Sequence, residues 1–71
     1  MTYTIVIECG EDGGWGAYVP DLPGLLLLGD TREGLIAGAP QAIRDHIAAT
    51  RDLGLPISRP RTSVAEVEVS A

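Results

Sequence analysis

An α+β domain is predicted, a three-stranded antiparallel sheet with one helix on its face and a closing strand, in the order β-β-β-α-β. Three observations predict it. Short runs rich in Thr, Ile, Val and Leu alternate with Gly- and Pro-rich breaks near the N-terminus. One long segment then carries apolar residues at helical spacing. An alternating apolar and acidic stretch follows it. Strands grouped ahead of a helix give a helix-on-sheet layer rather than a parallel βαβ fold.

Tyr3 to Glu8 reads as the first strand, because branched residues suit a pleated surface. Tyr3, Ile5 and Ile7 fall on one side, and Thr4, Val6 and Glu8 on the other. Gly10 to Gly14 is a turn whose Asp-Gly and Gly-Gly pairs supply the positive φ of a tight hairpin. Trp15 to Val19 is therefore the returning strand, with Trp15 and Tyr18 on opposite faces. Pro20-Asp21-Leu22-Pro23-Gly24 breaks the chain sharply, since two prolines fix φ and remove donors. Leu25 to Leu28 is a third strand, apolar at every position, so both its faces call for cover or an interface.

The helix begins near Asp30, which has the spacing to Glu33 of a capping box. It runs to about Leu53, where Gly54 suits the left-handed position beyond a helix and Pro56 blocks continuation. Leu35, Ile36, Ala39, Ala42, Ile43 and Ile47 form its apolar stripe. Gly34 and Gly38 each cost about 1 kcal/mol relative to Ala. Pro40 removes the bond to the Ile36 carbonyl at about 3 kcal/mol. The helix either kinks there or restarts; the stripe keeps phase across Pro40, which favours one kinked helix. A Pro-rich connector leads to a last strand over Ser63 to Val69, with Ala65, Val67 and Val69 on one face and Glu66 and Glu68 on the other.

At 71 residues the chain makes a single domain, residues 1–71, with a thin core. Its lone cysteine permits no internal disulfide, and one histidine beside it excludes the usual structural zinc sets. Oligomerisation, to a dimer or higher, is the staple that remains. Five Lys and Arg against ten Asp and Glu give a net charge of −5, which argues against phosphate-neutralising nucleic-acid binding and suits a basic protein partner. No signal peptide and no run long enough to span a membrane are seen, so a cytoplasmic location is expected.

Tyr3 to Glu8, Gly14 to Gly24 and Gly29-Asp30-Thr31-Arg32-Glu33, with Ala42-Ile43, His46-Ile47 and Gly54 to Ile57, resemble the HicB antitoxin family over nearly the whole chain. The resemblance implies a partial RNase H-like fold without catalytic carboxylates. It also implies an antitoxin of a type II toxin–antitoxin system, one that binds HicA, a small basic toxin that cleaves mRNA using a histidine, and keeps it inactive. The chain departs from the pattern in three places. Many relatives continue into a DNA-binding module, whereas this sequence stops at Ala71, so direct operator binding is not expected. Leu25 stands where relatives often carry cysteine. Gly34, Gly38 and Pro40 replace good helix formers. An orphan HicB-like oligomer serving as a structural or adapter subunit is the alternative function.

The candidate partner-binding residues are Glu11, Asp12, Trp15, Tyr18, Asp21 and Glu33. Each has a purely structural reading beside it. Asp21, held between prolines, suits turn chemistry as well as a partner contact. Glu11 and Asp12 fit the hairpin turn, and Asp30 and Glu33 fit the helix start. Of Trp15 and Tyr18, one belongs to the core and the other is a candidate interface anchor. His46 falls within the apolar stripe and reads as a core-edge residue. Cys9, flanked by Glu8 and Glu11 rather than by cations, reads as a small structural hydrophobe. Glu8, Glu11, Asp12, Asp30 and Glu33 show no pattern converging on a metal, so no catalytic residue, metal or cofactor is expected.

Overall fold

The computed structural model describes residues 1–70. Three strands are followed by one helix: β1 (Val6–Cys9), β2 (Trp15–Tyr18), β3 (Leu26–Gly29) and α1 (Arg32–Asp52). The sheet is antiparallel throughout, in the order β1-β2-β3. The expected α+β layer is therefore present, with β1 and β2 shorter than expected and β3 displaced by one residue from Leu25–Leu28 to Leu26–Gly29.

The hairpin between β1 and β2 closes as its composition dictates. The Gly10 amide donates to the Gly14 carbonyl at 2.7 Å, and Gly13 takes a φ of +88° that other residues avoid. Asp12 folds back so that its Oδ1 accepts from the Gly14 amide at 3.0 Å.

Register sorts the side chains into two faces. Ile7, Ala17 and Leu27 lie in one cross-strand row facing the helix. Val6, Tyr18 and Leu26 form a row on the opposite face, and Glu8, Gly16 and Leu28 form the next row there. The core is Ala17, Val19, Leu22, Leu27, Leu35 and Ala39, with Tyr3, Ile5, Ile7 and Trp15 packed partly against it.

The helix is continuous through Pro40, with no restart, and packs chiefly on β3 and β2. Leu35 and Ala39 are buried and Ala42, Ile43 and Ile47 are half-buried, as the stripe requires, but Ile36 falls at its edge and is exposed. The cap lies one residue later than expected. Thr31, in extended conformation, is the N-cap, and its Oγ1 accepts from the Gly34 amide at 3.0 Å. Asp30 still belongs to the exit from β3, so its carboxylate does not take that position. Glu33 sits in the first turn, where the helix dipole favours a negative charge. At the other end Gly54, at φ +72°, forms a complete Schellman motif: its amide bonds the Arg51 carbonyl, and the Leu55 amide bonds that of Thr50.

Two expectations are corrected, for the last strand and for Cys9, and a third is left half met. Ser63 to Val69 forms no strand; among the described residues nothing pairs with it, and Val64, Val67 and Val69 are 76–81% exposed. Within the chain the third strand is covered on one face only, where Leu27 is buried; Leu26 and Leu28, 66% and 77% exposed, leave the other face open, as the alternative of an interface allows. Cys9 is exposed rather than packed, because it ends the outermost strand.

Candidate binding surface

The face of the sheet turned away from the helix is the most distinctive surface of the molecule. Alternation along β2 and β3 drives Ala17 and Leu27 inward and leaves Tyr18, Leu26 and Leu28 outward. With half-buried Val6 these make an apolar patch that no element of the described chain covers. Gly16 stands between Glu8 and Leu28 in its row and contributes no side chain, so the face dips there.

At the hairpin end the patch runs into a shallow hollow of about 650 Å³. Glu8, Asp12 and Asp30 line it, together with Trp15 and Leu28. No Lys or Arg lies among its lining residues. Three carboxylates beside an aromatic ring and an exposed leucine attract a cationic side chain and give its aliphatic stem something to pack on.

The residues singled out in the sequence separate into groups. Asp12 and Trp15 come together in the hollow. Trp15 is the half-buried inward aromatic, and Tyr18 is the outward one, adjoining the hollow through Gly16. Glu11 is exposed on the turn beside Asp12, and Glu33 is exposed in the first helical turn; neither lines the hollow. Asp21 lies at the far end of β2 and is engaged within the chain. Its Oδ2 accepts from the amides of Arg61 and Thr62, each at 3.0 Å, and its Oδ1 accepts from the Thr62 hydroxyl at 3.0 Å. The Thr62 amide, then that of Arg61, holds the Asp21 carboxyl below its ordinary range. His46 is half-buried, and the carbonyl of its own residue accepts from the Thr50 hydroxyl.

Leu26, Leu28, Glu8 and Asp30 were not among the expected binding residues. The signal for the leucines was present in the uninterrupted apolar third strand, which one helix can cover on one face alone. The signal for the carboxylates was hidden, because only the register places Glu8 and Asp30 beside Asp12.

Among the described residues no three His, Cys, Asp or Glu side chains converge to hold a metal ion, and no helix is long and apolar enough to cross a membrane.

Residues 3–70 match the family described as HicB-like antitoxin of bacterial toxin-antitoxin system. A UPF0150 protein of Thermoplasma acidophilum is 34% identical over 71 residues, covering the whole of both chains. No solved structure is matched. With nearly every described residue inside the match, including the hairpin, the Pro-Asp-Leu-Pro-Gly break and the capped helix, the chain belongs to the HicB-like antitoxin family of bacterial toxin–antitoxin systems.

Proposed function

We propose that this chain is an antitoxin that binds and neutralises a small basic, mRNA-cleaving toxin of the HicA type, and that it acts by binding rather than by catalysis. One observation supports this above the others: the exposed Tyr18, Leu26 and Leu28 patch runs without interruption into the Glu8, Asp12 and Asp30 hollow. The apolar patch supplies area that gains from leaving water. The carboxylates supply orientation and faster encounter with a basic surface. Glu11, beside Asp12 on the turn, extends the acidic rim, and Glu33 adds charge at the helix start. The net charge of −5 acts in the same sense at longer range.

The experiment is to look beside the coding sequence for a small basic protein and to express the chain with it. A co-purifying complex in which RNA cleavage stops, and which loosens as salt is raised, supports the reading. Two folded proteins that fail to associate, or an association that leaves cleavage intact, overturns it and leaves an orphan HicB-like subunit.

A further inference from the structure

The helix leaves one side of the sheet unfinished. It lies over β2 and β3, and among the described residues β1 pairs with β2 alone, so its outer edge presents unpaired amides and carbonyls. Ahead of that edge, where the chain enters β1, an apolar groove of about 490 Å³ lies between the start of the chain and the helix, lined by Tyr3, Ile5, Ile36, Pro40, Ile43 and Ile47. This groove is on the helix side of the sheet, separate from the surface assigned to the toxin.

The same chain holds a segment suited to that place. Ser63 to Val69 alternates, with Ala65, Val67 and Val69 on one side and Glu66 and Glu68 on the other. Every residue from 63 to 70 is exposed. The residues before it are tied down. Tyr3 Oη donates to the Ser58 carbonyl at 2.8 Å, Thr4 Oγ1 donates to that of Thr62 at 3.1 Å, and Asp21 holds Arg61 and Thr62. The tail thus leaves a fixed point beside the start of the first strand and projects. The radius of gyration shows the same thing: it is 14.0 Å, where a compact chain of this length has about 11 Å.

We infer that Ser63–Val69 of one copy adds to the free edge of β1 in a second copy, in a reciprocal strand exchange. Seven extended residues reach about 23 Å, and the helix face from Ile36 to Ile47 spans about 16 Å, so the tail is long enough to close the groove. Ala65, Val67 and Val69 enter the groove, and the backbone satisfies the edge. Glu66 and Glu68, on the other side of the tail, then point away from the groove and stay in water. A second copy is the favoured occupant because one two-fold arrangement covers both the groove and the tail of each chain.

The test uses the full chain alone, without any toxin, so its outcome is independent of the antitoxin reading. Mass is measured by light scattering and amide exchange is followed across residues 63–69, for the native chain and for Val67→Asp. Val67 is 81% exposed in the single chain, so the substitution leaves the sheet and helix intact. The expected result is a native dimer with protected tail amides. In Val67→Asp the mass halves and tail exchange rises roughly tenfold or more, while α1 stays protected. A monomeric native chain, with its tail protected or not, overturns the exchange. So does a dimer whose tail exchanges freely, or one that Val67→Asp leaves unchanged.

Discussion

The carboxylate of Asp21 binds Thr62 twice, accepting from both its amide and its hydroxyl across 41 residues of sequence. Together with the Arg61 amide this joins the loop after β2 to the segment beyond the helix. Asp21→Ala is expected to release residues 58–62 and leave the sheet and helix standing. Amide exchange checks it: Arg61 and Thr62 should exchange roughly tenfold faster or more, with Ala17 and Leu27 unchanged.

The same contact carries a pH dependence. Amides donating to the ionised carboxylate lower the Asp21 pKa from its ordinary 3.8. A carboxyl depressed on folding adds stability above its unfolded value and loses it as pH falls through the folded one. The Thr62 amide resonance should therefore stay constant from neutral pH down to roughly pH 4 and move towards its released position below that. In Asp21→Asn this transition should be missing.

Thr31→Ala removes the hydroxyl that caps the Gly34 amide. Loss of an N-cap costs about 1 kcal/mol, which in a domain of this size lowers Tm by about 4–8 °C. Asp30→Ala, whose carboxylate does not cap, should move Tm far less. Thermal unfolding followed by circular dichroism compares the two.

Gly29→Ala is expected to destabilise. A Cβ there would meet Leu35 Cβ at 3.0 Å and its Cα and amide nitrogen at 3.1 Å, and backbone at that distance cannot yield cheaply. Replacing glycine elsewhere gains about 0.4–1 kcal/mol by restricting the unfolded chain. Here the overpacking of about 1–3 kcal/mol outweighs that gain. Urea unfolding should show a lower midpoint with an unchanged slope.

Leu28→Lys separates binding from folding. Leu28 is 77% exposed, so its loss should change stability by no more than about 0.5 kcal/mol. If it anchors the toxin, affinity should fall by about tenfold or more, as measured by calorimetry. Tyr18→Ala should act in the same direction.

Much of the fold was legible because local chemistry decided it. The Gly10–Gly14 turn, the two faces of Tyr3 to Ile7 and the Gly54 stop need only nearby residues. The Asp30 cap was misread because Asp30 and Thr31 are both good caps, and only the end of β3 chooses between them. The last strand was misread for a deeper reason. Alternation at Ala65, Val67 and Val69 shows which side the segment would bury, whereas pairing depends on an edge elsewhere in the fold that the segment itself does not encode. The proposed binding surface was half legible: Asp12, Trp15 and Tyr18 are near neighbours in sequence, but Glu8, Leu28 and Asp30 join them through strand pairing alone.

In most strands a slip of one residue is forbidden because it would turn polar groups inward. Leu25 to Leu28 lacks that safeguard, since a slip there replaces leucine by leucine on both faces. Its alignment must be encoded at its ends. Gly29 is the marker: only a residue without a Cβ fits beneath Leu35, and a shift would push Leu28 into that space. One missing methyl group thus serves as the punctuation of an otherwise unreadable strand, and it fixes which leucines face outward.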